Sequence, residues 1–159
     1  MYAQQNFSRN ERSISLLITA TLAELSLLVI QFIIGMWMNL FAVFPSLGAV
    51  FTMYGLMGIM FSVPELMVHM MNGVLIGLLS VMIFALTLMR SDRKSAVVGA
   101  VASLSIFFAG ISGLEFIFTG FQNNIFSFIM SLGFIVAVIS YAFLIYSLSV
   151  SSGSLRLHQ

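Results

Sequence analysis

Residues 64–90, PELMVHMMNGVLIGLLSVMIFALTLMR, constrain this chain more than any other stretch. From 66 to 89 they are almost wholly apolar, and a run of that length crosses the hydrocarbon core of a bilayer as a helix. Pro64 suits the first helical turn, where its missing N–H costs nothing. The polar groups of the stretch gather at its start. Glu65, His69 and Asn72 fall at i, i+4 and i+7, hence on one helical face. Gly73 and Gly77 follow one turn apart and allow a second helix to come close. Arg90 ends the run.

The rest of the chain repeats the pattern. Of 159 residues, 60% are hydrophobic and 7% charged, against about a quarter charged in soluble domains. The reading is therefore all-α: a four-helix transmembrane bundle, residues 1–159 forming a single integral membrane domain. The spans are expected at about 13–44, 64–89, 95–119 and 125–148. The first is too long for the apolar core of a signal peptide and is read as uncleaved. Residues 45–63 carry Pro45, Gly48, Gly55 and Gly58, and are expected to lie at the interface or re-enter slightly rather than span. A charged loop holds Arg90, Asp92, Arg93 and Lys94, and Gly120, Gln122, Asn123 and Asn124 form a turn. The last residues, 149–159, are expected to be a polar, mobile tail. Ser105, Ala109 and Gly113 form a ridge of small side chains in the third span. Gly73, Gly77 and Ser80 match Gly133, Ala137 and Ser140 at a constant offset, a weak internal repeat.

With these spans all six lysines and arginines fall on one side of the membrane. The positive-inside rule then makes this a multi-pass cell-membrane protein with N- and C-termini cytoplasmic. Partners expected from composition are the lipid bilayer and other membrane subunits or further copies of the chain. No basic patch suggests nucleic acid. The chain has no cysteine, which excludes disulfides, iron–sulfur clusters and cysteine nucleophiles. It also lacks zinc-protease spacing, a nucleophile elbow and a phosphate loop, so nothing argues for catalysis and no metal ligand set is expected.

The intramembrane polar residues are the candidate site. Depth along the helices places Asn39, Glu65, His69, Asn72 and Glu115 near the non-cytoplasmic ends of their spans, where a polar pocket opening outward is expected. Glu24 and Gln31 lie deeper, seven residues apart and so on one face, with Gly35 and Asn39 continuing that side. A carboxyl at mid-membrane without a cation is expected to be protonated, in a structural, proton-relay or quinone-contacting role. For haem, His69 is one axial candidate and Met130, near the outer start of the fourth span, the other. His158, in the tail, is on the wrong side to share an iron with His69.

HMMNG, an HxxxG opening a long apolar helix, resembles the haem-ligating helices of the haem A synthase family. QFIIGM in the first span is similar to the Q-x-x-x-G element of that family. The resemblance covers residues 25–148 and implies an up-and-down helical bundle with haem b held between helices. The chain lacks the ExxHR motif, and Ile129 stands where the apparent repeat would place a second histidine. The reading that accounts for most of the sequence is a non-catalytic subunit or accessory of a larger membrane complex, with the respiratory chain as its expected setting. The alternative is a haem- or quinone-binding redox protein using His69.

Overall fold

In a computed structural model, residues 2–44, 53–90 and 92–156 are described, with side chains from 12–44, 54–90 and 92–150. Five helices follow in order: α1 (Tyr2–Phe41), α2 (Met53–Ser62), α3 (Pro64–Leu88), α4 (Arg93–Phe118) and α5 (Asn124–Arg156). Four contain segments long and apolar enough to cross a membrane: Arg12–Phe41, Pro64–Leu88, Arg93–Phe118 and Asn124–Val150. By composition this is a four-span helical membrane protein.

The buried positions of α1 explain how it packs. Ile14, Leu17, Thr21, Glu24, Leu28 and Met38 are buried, with Gln31 and Gly35 half-buried between the last two. Their spacing alternates between three and four residues, the seam of a helix meeting its neighbours at a shallow angle. In α3 the same alternation runs through Leu66, His69, Gly73, Ile76, Ser80, Ile83 and Thr87. The opposite faces carry exposed Leu, Ile, Val and Phe, including Leu78, Phe108 and Ile139. In lipid these need no cover, and every helix keeps its backbone hydrogen bonds inside itself.

The main contacts close a ring. α1 packs against α3 and α5, and α4 packs against the same two helices. The expected ridge of small residues on α4 is where α5 comes nearest. A Cβ built on Gly133 would lie 2.7 Å from the Ser105 carbonyl oxygen and 3.0 Å from the Ala109 Cβ, and one on Gly113 would lie 3.1 Å from Met130 Sδ. Gly73 meets the Gln31 side chain, whereas Gly77 has open space beside it. The close approach expected of the Gly73–Gly77 pair is thus made by Gly73. Its repeat counterpart Gly133 instead meets backbone.

The connector between the first two spans ends in α2, whose ten residues rise only about 15 Å and cannot span. Leu56 and Ile59 of α2 join Met38, Val63, Leu66 and Ile117 in a cluster at this end of the bundle. Residues 45–52 of the connector lie outside the described residues. The α4–α5 turn falls where the glycine and amides were expected, and both Gly120 and Phe121 take positive φ. For phenylalanine this conformation is strained. Phe121 is held there by stacking on Phe44 at 4.0 Å and by an edge contact with Phe116 at 5.6 Å.

At the other end, Asp92 caps α4. Its carboxylate accepts from the Lys94 N–H at 3.1 Å and from the Ser95 hydroxyl. The Ser95 bond, the two backbone N–H groups and nearby Arg90 hold the Asp92 carboxyl below its ordinary range. The polar tail continues the helix of α5 to Arg156 rather than leaving it at the end of the span, and His158 lies outside the described residues.

Candidate functional site

Three polar side chains expected in the membrane meet between α1 and α3. Asn72 Nδ2 donates to the Leu27 carbonyl at 3.2 Å and to Gln31 Oε1 at 2.8 Å. Gln31 Nε2 lies 3.0 Å from His69 Nε2. Each helix makes room for the other's side chain. A Cβ on Gly35 would stand 3.2 Å from His69 Cε1, and one on Gly73 would stand 3.4 Å from Gln31 Nε2. The local sequences are alike: Gln31 and Gly35 are one turn apart on α1, His69 and Gly73 one turn apart on α3. Antiparallel packing sets each polar side chain opposite the other helix's glycine.

The network assigns its own proton positions. The Leu27 carbonyl can only accept, so the Asn72 nitrogen faces it. That nitrogen also fixes Gln31 Oε1 as the acceptor on its side, which turns the Gln31 NH₂ toward His69. His69 Nε2 must then accept, and the ring proton sits on Nδ1. Nδ1 is buried without a hydrogen-bond partner among the described residues, on the side of the ring nearest Gly35. The imidazole is thereby a neutral terminus of a four-group chain that starts on a backbone carbonyl.

The other members of the expected outward pocket do not join. Asn39, Glu65 and Glu115 are exposed, and none has a side-chain bond to His69 or Asn72. For Asn39 the reason is register: the seven-residue rule that relates Glu24 to Gln31 continues to Met38, which is buried. Asn39 is rotated about 100° from it. Glu65 sits in the first turn of α3, where it reaches out of the bundle. Glu115 is two residues beyond Gly113, on the side of α4 turned away from its contact with Met130.

These positions can be tested against a haem. Axial ligation takes the lone pair of a ring nitrogen. In His69 the one lone pair is on Nε2 and already receives the Gln31 amide. Met130 rests its sulfur against Gly113 in the α4–α5 contact, while His69 occupies the α1–α3 contact. This arrangement does not fit a His69–Met130 ligand pair. Among the described residues no group of three His, Cys, Asp or Glu side chains is placed to hold a metal ion.

Glu24 lies apart from this chain. It is fully buried, and neither carboxyl oxygen has a hydrogen-bond partner among the described residues. Gln31, seven residues along the same face, is engaged by His69 and Asn72. Tyr141 of α5 is likewise fully buried, and its hydroxyl has no hydrogen-bond partner among the described residues. Sequence reasoning misses Tyr141; the signal that could have found it is its place four residues after Ala137 and three before Leu144, on the buried seam of α5. Compared with known proteins, the chain matches no family model, no curated protein and no solved structure.

Proposed function

We propose that this protein is a non-catalytic, multi-pass subunit or accessory of a larger membrane assembly, with both termini in the cytoplasm. One observation carries the reading: the histidine that suggested a redox ligand is spent, with Gln31 and Asn72, on joining two helices. Leu27, Asn72, Gln31 and His69 satisfy one another in sequence, which locks α1 to α3 and leaves no lone pair on His69 for a ligand. An interior used in this way supports a scaffold that presents its apolar outer faces to lipid and to other helices. The orientation rests on Arg12, Arg90, Arg93 and Lys94, which stand where the first apolar segment begins and where α3 passes to α4. Positive residues at one end of the spans favour the cytoplasmic side.

The test is photo-crosslinking in the native membrane. A crosslinker placed in turn at exposed Leu78, Phe108 and Ile139 should give one discrete protein adduct from one face and only lipid adducts from the others. Activity of the isolated chain would overturn the proposal. That activity would be solute flux in liposomes, or a haem absorbance or bound quinone that disappears in His69→Ala.

A further inference from the structure

The hydrogen-bond chain between α1 and α3 has one end that is fixed and one that can change. At the fixed end the Leu27 carbonyl accepts from Asn72 at 3.2 Å, and a carbonyl can only accept. At the other end His69 Nε2 lies 3.0 Å from Gln31 Nε2 and accepts only while the ring is neutral. A histidine that takes up a proton has a donor on both ring nitrogens. Between the ends stand two amides, Asn72 and Gln31, joined at 2.8 Å. Either can turn over and exchange its oxygen with its NH₂.

The neutral chain makes three bonds, all running the same way: Asn72 to Leu27, Asn72 to Gln31 and Gln31 to His69. With a proton on His69 Nε2, three arrangements of the amides are open. Left unturned, the Gln31 NH₂ faces the new ring N–H, donor against donor. With Gln31 turned, its oxygen accepts from His69, but its NH₂ then faces that of Asn72. With both turned, the Asn72 oxygen faces the Leu27 carbonyl, acceptor against acceptor. Every arrangement keeps two bonds and sets one like pair in contact. The ring rests against Gly35 and the Gln31 amide against Gly73, so relieving a like pair means moving α1 away from α3.

No charged group offers the ring another partner. Its Nδ1 has no hydrogen-bond partner among the described residues. α1 sets uncharged Gln31 and Gly35 against it, and Glu24 lies two turns deeper on that helix. On α3 itself Glu65 is one turn nearer the helix start and exposed. Of the other helices packed on α3, α2 carries Tyr54 and α4 carries Glu115, and both are exposed.

We propose that this chain is a pH-sensitive latch: proton uptake by His69 removes one bond from it and loosens α1 from α3. His69 is half-buried and about 7.5 Å along α3 from Pro64, at the end of the bundle away from Arg90, Arg93 and Lys94. On the orientation proposed above, the latch senses the pH of the non-cytoplasmic medium. The bond count depends neither on that orientation nor on partner subunits.

Reversible unfolding of the full chain in bicelles, measured by steric trapping between pH 7.5 and 5.5, tests the latch. The part that belongs to His69 is the difference between the wild type and His69→Leu, in which other titrating groups such as Glu24 cancel. Separated helices take up the proton without losing a bond. Relative to His69→Leu, the wild type should therefore lose stability as pH falls, its unfolding equilibrium shifting by up to about tenfold across this range. Any histidine buried without a charged partner could give that shift, so Asn72→Leu decides. It leaves the titrating ring in place but frees Gln31 to turn and accept from it. In the Asn72→Leu background the same comparison should lose most of the shift. No shift in the wild-type comparison, or an equal shift in both backgrounds, overturns the proposal. Should a leucine variant not fold, nitrogen NMR of isotope-labelled His158→Gln protein, whose one histidine is His69, decides alone. An unprotonated Nε2 at pH 7.5 is expected, and a proton there overturns the latch.

Discussion

Replacing Gln31 by leucine is the sharpest test of the chain between α1 and α3. The substitution removes the 2.8 Å bond from Asn72 and the 3.0 Å bond to His69. Side-chain hydrogen bonds between membrane helices average about 0.6 kcal/mol each, so the lost bonds account for about 1.2 kcal/mol. Asn72 keeps the Leu27 carbonyl, but His69 Nε2 is left without a donor. That costs about 1 kcal/mol, the low end of the usual range, because the ring is only half-buried. The expected loss for Gln31→Leu is therefore about 2 kcal/mol. The diagnostic quantity is the coupling with His69→Leu. Removing both partners of a bond leaves no orphan between them, so the double variant should be less destabilised than the sum of the singles by about 1 kcal/mol. Reversible unfolding in bicelles, followed by steric trapping, measures all four corners of the cycle. Additivity within about 0.5 kcal/mol would refute the reasoning, as would a Gln31→Leu variant as stable as the wild type.

Other sites give independent checks in the same unfolding assay. Gly133→Ala sets a methyl against the Ser105 carbonyl, which is backbone and cannot swing aside, so a loss of about 1–3 kcal/mol is expected. Gly77→Ala meets nothing within 4 Å and should be neutral or stabilising by up to about 1 kcal/mol, as alanine is the better helix former. Gly35→Ala should cost about 1 kcal/mol by pushing on the His69 ring, and the cost should vanish in a His69→Ala background. Asp92→Ala removes the α4 cap and should lose about 1 kcal/mol. Because the folded Asp92 carboxyl is held below its ordinary range, its contribution is complete above the unfolded value of about 3.9 and fades as pH falls through the lower folded value. An acid titration of stability should therefore flatten in that window for Asp92→Asn.

The spans were legible because length and apolarity alone decide them: both ends of α3 and α4 and the start of α5 fall within two residues of those expected, while α5 runs eight residues past 148. The site was legible only in part. Glu24 and Gln31 share a face because seven residues make nearly two whole turns, and both do face inward. Depth along the helix identified His69 and Asn72 but also gathered Asn39, Glu65 and Glu115, since depth carries no information about rotation around the axis. The missing criterion was the buried seam itself. Asn39 fails it beside Met38, and Glu115 fails it beyond Gly113. The pairing of Gln31 with His69 was present in the chain as two copies of one pattern, a large polar residue one turn ahead of a glycine. What could not be read was that the copies face each other, because that depends on which helices become neighbours.

The alternation of three and four along α1 leaves an ambiguity that apolar packing cannot resolve. Sliding α1 along α3 by seven residues, about 10.5 Å, returns an equivalent seam of knobs and holes. Slid one way, Met38 would stand where Gln31 does; slid the other, Glu24 would, with Leu17 in its place. Of the three only Gln31 offers Asn72 and His69 an amide, and Met38 would leave both unanswered where lipid supplies no water. A single buried asparagine sets the alignment of soluble coiled coils in this way, giving up some stability to exclude the alternatives. Here the Leu27 carbonyl, Asn72, Gln31 and His69 act as a vernier: many positions are nearly equivalent for the hydrocarbon, and one is marked.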